Sequence, residues 1–174
     1  MKCYLSALLF FMSFSAFSED VPHSLNDIER LSSMGISVAK VTLAECYIQG
    51  GCTFADKKTL EKDINKGLKI LEEAASLAND IDGDAAFRLG DYLLLGQNGV
   101  QQDKNKAHKY LKKSAEAGNT KAMYYLAVSY MSGEIKPEGP VPADLQAMNY
   151  SLEACTKGLQ VACELNRIEE HYKQ

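Results

Sequence analysis

Four cysteines are the residues whose type and spacing most directly suggest chemistry in this chain: Cys46 with Cys52, and Cys155 with Cys163. Five and seven residues separate the partners, which is wider than the spacing typical of zinc ligands or of a C-x-x-C redox pair. Two cysteines that face each other across a helix–turn–helix step, such as one centred on Gly158, can reach the short Cα separation of a disulfide. The spacing therefore favours two structural disulfides, with free or intermolecular thiols and a metal site as alternatives.

A second motif is Ser37-Val-Ala-Lys40, which fits the S-x-x-K nucleophile pattern of penicillin-binding enzymes. The chain has no K-T-G, and the only S-x-N (Ser24-Leu-Asn26) comes before the motif rather than after it. There is also no G-x-S-x-G and no phosphate-binding glycine loop. The sequence predicts no catalytic residues, and Ser37 is expected to begin a helix just after Gly35.

Four aspartates, Asp80, Asp82, Asp84 and Asp91, have the spacing of positions 1, 3, 5 and 12 of a calcium loop. The glycine falls at the wrong position, and the residues from Ala85 onward have a helical pattern. We interpret the acids as N-capping and helix-dipole residues before Ala85, with a calcium site as the alternative.

The three histidines, His23, His108 and His171, lie far apart, and none has a cysteine or acid at ligand spacing. The sequence accordingly predicts neither a metal nor a cofactor. His108 is expected on a solvent-exposed helix face.

The first residues, MKCYLSALLFFMSFSAFSED, combine Lys2, an apolar run and small residues at 16 and 18. This pattern predicts a secretory signal peptide over 1–18, because the run is shorter than the ~20 apolar residues that span a bilayer. A retained anchor is the alternative. Removal of Cys3 would leave an even number of cysteines in an exported chain, which further favours disulfides. We therefore expect a periplasmic or secreted protein, with 19–174 as a single domain.

The charge of the chain narrows the class of partner. The formal net charge is −4, and the predicted cleavage would remove one lysine and no acid. Such a protein has little electrostatic attraction for nucleic acid or anionic lipid. We expect neither as a partner.

Helical periodicity dominates from Ser24 onward, and the pattern repeats. Corresponding small and apolar positions recur at one constant spacing: Ala85, Leu89, Gly90 and Gly96 match Ala122, Leu126, Ala127 and Gly133. Within one unit two apolar stripes face each other: Ala85, Leu89 and Leu93 on the first helix, and Ala107, Leu111 and Ala115 on the second. A single helix pair cannot bury both stripes, so the units must stack into an all-α solenoid.

The unit beginning at Ala85, read as A-x3-L-G-x5-G-x2-G-V-x2-D-x2-K-A-x2-Y-L-x3-A-x2-G-N, resembles a Sel1-like repeat, a relative of the tetratricopeptide repeat. The resemblance covers about residues 35–170, with units near 37–79, 84–119 and 120–160 and half units at 24–35 and 161–171. It implies a right-handed α-solenoid of stacked antiparallel helix pairs. The cysteine spacing across a helix turn also partly resembles the exported, cysteine-rich branch of these proteins.

The same resemblance implies a groove lined by the first helix of each pair. The positions that would face it carry apolar side chains beside single acids: Val41, Glu45 and Ile48, then Phe87, Asp91 and Leu94, then Tyr124, Val128 and Met131. Such a mixture suits a protein or peptide partner. The alternative is that some of these residues pack against neighbouring helices. The proline-rich loop 136–142, an insertion relative to the preceding unit, is either a second contact surface or a plain spacer.

We therefore expect an exported, non-enzymatic, monomeric binding module. The family that the chain resembles includes adaptors and periplasmic immunity proteins that inhibit a toxic enzyme. Weak β-lactam binding or hydrolysis, which the cysteine-rich relatives suggest, is the alternative. A purely structural envelope protein is the third hypothesis.

Overall fold

The computed structural model describes residues 24–165, which contain seven complete α-helices. These are α1 (Leu25–Ser33), α2 (Ser37–Gln49), α3 (Ile64–Ala75), α4 (Asp84–Leu95), α5 (Lys104–Glu116), α6 (Thr120–Met131) and α7 (Ala143–Thr156). Two short 3-10 turns, Ile81–Gly83 and Gln97–Gly99, flank α4, and residues 160–165 are helical. The predicted signal peptide (1–18), His23, His171 and the end of the last half unit lie outside the described residues.

The helices stack in pairs, which confirms the predicted all-α solenoid. The closest packing is within the pairs α2/α3, α4/α5 and α6/α7, while α3 contacts α4 and α5 contacts α6. The first helices form one layer, because Arg88 on α4 reaches Glu45 on α2 and Phe87 on α4 reaches Tyr125 on α6. The second helices form another layer.

Polar caps start four of these helices. Their side chains each accept a hydrogen bond from the backbone three residues later: Ser24, Asp63, Asp103 and Asn119. Such caps satisfy donors that the first helical turn leaves unpaired. At the other end, Gly118 and Gly158 have positive φ angles of 102° and 95°, which end α5 and α7 and turn the chain toward the next helix. The predicted helix–turn–helix step centred on Gly158 is thus confirmed.

The predicted stripes form the centre of the core. Leu89 and Leu111 are 1% and 0% exposed, and the small residues beside them are buried as well. A methyl group added at Gly90 would lie 2.8 Å from Leu111 Cγ. Glycine at this position therefore allows α4 and α5 to approach closely.

A smaller apolar cluster lies at the amino-terminal end, where Leu25, Ile28, Leu43, Tyr47 and Leu60 are buried. Leu60 belongs to the long loop between α2 and α3. That loop folds back on itself, because the Gly51 amide donates to the Leu60 carbonyl at 3.0 Å. None of the helices within residues 24–165 is long and apolar enough to cross a membrane.

Candidate partner-binding groove

The predicted binding residues divide into a buried and an accessible set. Phe87 and Leu94 are 8% and 3% exposed, and Val41 and Ile48 on α2 are equally covered. These four belong to the main apolar core. They stabilise the stack of first helices, and their contribution to an external surface is small.

The accessible set lies on the same three helices, and we call it the groove surface: Glu45, Asp91, Tyr124, Val128 and Met131. Val128 and Met131 are 38% and 40% exposed. Glu45, Asp91 and Tyr124 are half-buried. The groove surface is therefore acidic along α2 and α4 and apolar along α6.

Two residues that the sequence analysis missed organise this surface, Arg88 and Tyr125. Each lies one position beyond a predicted groove residue, Phe87 or Tyr124. Arg88 and Tyr125 themselves occupy equivalent positions in successive units. That equivalence is the signal that could have identified them.

Arg88 connects the acids of α2 and α4. Its Nη1 donates to Glu45 Oε1, and its Nε lies 3.5 Å from Asp84 Oδ1. The Arg88 side chain remains 42% exposed. The guanidinium thus neutralises part of an acidic surface while staying available at its edge.

Asp91 lies at the centre of the groove surface. Burial raises the pKa of its carboxyl group, while the Tyr125 hydroxyl and the Arg88 charge oppose the increase. Its Oδ1 is buried and has no hydrogen-bond partner among the described residues. Tyr125 is held edge-on by Phe87, with the ring centroids 5.5 Å apart. The partly desolvated carboxylate of Asp91 therefore lies beside Tyr125, an aromatic side chain with a fixed orientation.

The cysteines pair as the sequence favours. Cys46 and Cys52 have Cα atoms 5.4 Å apart, and Cys155 and Cys163 have Cα atoms 4.7 Å apart, both in disulfide-bonded geometry. Such bonds persist in oxidising compartments. The pairing therefore indicates an extracytoplasmic environment.

Ser37 and Lys40 do not form a nucleophile and base. Ser37 is 4% exposed and its hydroxyl donates to Asp80 Oδ1 at 3.4 Å. Lys40 Nζ instead lies 2.9 Å from Glu73 Oε2. The serine is covered and the lysine is already paired, so neither group is presented to a substrate.

Of the aspartates around the start of α4, Asp80 acts as a cap. Asp80 accepts from the backbone amides of Ala85 and Ala86 at 2.9 and 3.4 Å, which confirms the capping interpretation. Asp84 pairs with Arg88 instead. Within residues 24–165, no group of three or more histidine, cysteine or acidic residues is arranged to hold a metal ion.

The prediction for His108 is wrong. Its side chain is only 7% exposed, and Nε2 shares a 2.6 Å hydrogen bond with the Tyr130 hydroxyl. The reason is tertiary: Tyr130 on α6 covers the ring edge-on, with centroids 5.7 Å apart. The periodicity of α5 alone could not show this neighbour.

The proline-rich loop is fastened to the fold at both ends. Ile135 is 5% exposed and its amide donates to the Ser129 carbonyl at 3.2 Å. The Gln146 side-chain amide donates to the carbonyls of Val141 and Glu138 at 2.9 and 3.3 Å. These hydrogen bonds hold the loop in one position against the fold. Its role in binding stays a prediction.

Comparison with known proteins places these features among repeat proteins. The profile of the Sel1 repeat family matches residues 43–79, 83–119 and 120–159. The chain is 30% identical over 152 residues to the Sel1-repeat-containing protein YjcO of Escherichia coli K12, and equally to its Shigella flexneri counterpart. These alignments cover 84% of this chain, which spans 61% of the length of those relatives.

Two crystal structures share the fold. A Sel1 repeat protein from Oxalobacter formigenes superimposes with a TM-score of 0.62 at 21% identity, covering 82% of this chain and 96% of that one. The protective antigen c5321 of uropathogenic E. coli, which has an SLR fold, gives 0.56 at 24% identity and covers 78% of this chain and 26% of that one. At this identity the likeness concerns the fold.

Proposed function

Because this chain belongs to the Sel1 repeat family, a protein–protein interaction fold, we propose that it is a non-enzymatic module that binds a partner protein on the groove surface. The observation that carries this proposal is Asp91. Its carboxylate is partly desolvated, and one of its oxygens is buried with no partner among the described residues. Such an arrangement costs folding stability and is typical of positions kept for function rather than for packing.

The surroundings of Asp91 suit a protein partner. Tyr124, Val128 and Met131 provide an apolar area that no described residue covers fully. The acids of α2 and α4 lie beside it. Interfaces commonly combine an apolar or aromatic anchor with polar groups at its rim. The binding energy would come mainly from α6, and the acids would select a partner with complementary positive charge.

The two disulfides support the proposed compartment. Two disulfides indicate an oxidising environment, and the predicted signal peptide would deliver the protein there. We propose a periplasmic or secreted monomer that acts as an inhibitor, such as an immunity protein, or as an adaptor. The β-lactamase alternative has no support from the positions of Ser37 and Lys40.

The proposal is tested by capture with matched variants. Val128→Asp with Met131→Asp adds two charges to the groove surface. Leu145→Asp with Leu152→Asp adds two charges to α7 at residues of similar exposure, 44% and 53%. Each oxidised protein is immobilised and incubated with a native periplasmic extract, and retained proteins are quantified by mass spectrometry.

We expect a stoichiometric partner to be retained by the wild type and the α7 variant, and at least about tenfold less by the groove variant. Purified partner should then show the same order of affinities by calorimetry. Equal retention by all three proteins would contradict binding at the groove surface. An identified partner also separates inhibition, which an activity assay detects, from an adaptor role.

A further inference from the structure

The second layer of helices carries a concentration of positive charge on α5. Five of the thirteen residues of this helix are lysines: Lys104, Lys106, Lys109, Lys112 and Lys113. Two of them are neutralised, since Lys104 Nζ lies 3.1 Å from Glu134 Oε1 and Lys106 pairs with Glu72. The remaining three have no ion pair with any residue in 24–165.

The three unpaired lysines lie on one side of the helix. Lys112 and Lys113 follow Lys109 by three and four positions, which places the three side chains next to one another. Lys109 and Lys113 are exposed and Lys112 is half-buried. The chain has a net charge of −4, so these three lysines form a positively charged region on a protein that is negatively charged as a whole.

These lysines border a cleft of about 630 Å³ whose wall and floor are fixed. The wall includes Glu138 of the proline-rich loop, whose carbonyl accepts from the Gln146 side chain. His108 lies in the lining and is held by Tyr130. The lysines therefore border a cleft whose other lining residues are held in place, and they are not simply exposed on an isolated helix face.

We propose that this cleft, which we call the α5 cleft, is a second interaction surface that binds an acidic segment of a partner protein. Two glutamates also line the cleft, Glu116 at the end of α5 and Glu138 of the proline-rich loop. A short peptide can place two or three carboxylates against the lysines and avoid the glutamates. An extended polyanion such as nucleic acid, or an anionic bilayer, would also approach those glutamates and the net negative remainder of the chain. The observations therefore favour a peptide.

The α5 cleft is independent of the groove surface, because it lies on a second helix of the stack while the groove surface lies on first helices. Both surfaces can be occupied at once. A protein with two such surfaces would bring two partners together. This extends the proposed function toward an adaptor.

The test uses the oxidised protein and a fluorescein-labelled hexaglutamate peptide, followed by fluorescence anisotropy. One variant combines Lys109→Ala, Lys112→Ala and Lys113→Ala. A control combines Lys57→Ala, Lys62→Ala and Lys69→Ala, which removes the same charge from exposed lysines elsewhere. We expect the wild type and the control to bind within about threefold of each other, and the α5 variant at least about tenfold more weakly.

A gain of affinity provides a second arm that does not depend on losing lysines. Glu116→Lys with Glu138→Lys should tighten hexaglutamate binding several-fold at an ionic strength of about 0.05 M, and less at about 0.5 M. Thermal unfolding checks that each variant is folded. The proposal is overturned if the wild type does not bind the peptide, if both triple variants weaken it equally, or if phosphatidylglycerol vesicles or an oligonucleotide bind more tightly than the peptide.

Discussion

At the scale of single residues, Asp91 is a carboxylate held where the fold does not favour its charge. Burial raises its pKa above the ordinary value near 3.9. The folded state therefore binds the proton more readily than the unfolded state does. The resulting destabilisation is absent below the unfolded pKa, grows as pH rises from the unfolded pKa to the folded pKa, and is complete above the folded pKa.

Asp91→Asn should accordingly stabilise the protein at pH 7 by no more than about 1 kcal/mol, because the amide does not have to carry a desolvated charge and solvent screens the penalty at this half-buried position. The gain should largely disappear near pH 3. Urea unfolding at the two pH values measures it, and Glu61→Gln, at an exposed loop acid, is the control. If Asp91→Asn destabilises the protein at neutral pH, the carboxylate contributes to folding and loses its weight as a functional residue.

The pKa of His108 shifts in the opposite direction, so its effect on the pH dependence of stability is also opposite. Burial lowers its pKa most, with Lys112 acting in the same direction and Glu138 opposing. The unfolded state therefore takes up the proton first. The stability that neutral His108 contributes is present above the unfolded pKa of about 6.5, and it is lost as pH falls below that value toward the folded pKa.

We expect the free energy of unfolding of the wild type to decrease between pH 7.5 and pH 5 by more than that of His108→Gln. Tyr130→Phe, which removes the hydroxyl paired with His108, should cost about 1–2 kcal/mol at pH 7.5. Equilibrium urea titrations at both pH values separate the two effects. Identical pH profiles for the wild type and His108→Gln would show that the charge of this histidine is not coupled to folding.

At the scale of elements, the disulfide between Cys155 and Cys163 joins the end of α7 to the helical residues that follow Gly158. The equivalent positions in the preceding step are Ala115 and Met123, which are 3% and 1% exposed. The crosslink thus reinforces a contact that the central repeat makes by apolar packing alone. It fastens the last helical turn of the described chain to the solenoid.

Replacing both cysteines, Cys155→Ala with Cys163→Ala, should cost roughly 2–3 kcal/mol, since a closed loop of this size restricts the unfolded chain by about that amount. Hydrogen exchange should increase first in residues 160–165. Cys46→Ala with Cys52→Ala is the companion variant, and there the increase should appear in the α2–α3 loop. A uniform increase across all helices would contradict this local effect.

The sequence predicts the elements well where the determinants are local. The positive-φ glycines at 118 and 158 act within one turn of the chain, so their type and spacing suffice. The covering of Phe87 and Leu94 is different. Their burial depends on the distance between successive first helices. The residue spacing along one helix gives no information about that distance.

At the scale of the whole molecule, the repeat pattern predicts the solenoid because each unit must bury its stripes against the next. The repeat pattern predicts the groove surface only in part. Its charged network joins Arg88 to Glu45, forty-three residues earlier in the chain, and the α5 cleft depends on the inserted loop and on Tyr130 of the next helix. These sites are products of stacking between units, which the sequence of one unit does not specify.

Both crosslinks are local, and this determines how the chain behaves when it is pulled. Their partners are only 6 and 8 residues apart in sequence, and within residues 24–165 no disulfide ties one repeat to a distant one. A force applied to the two ends can therefore extend nearly the whole backbone without breaking a covalent bond. We expect the oxidised protein to unfold and extend almost completely when its two ends are pulled or when it is drawn through a translocating pore. The helix pairs should unfold one at a time.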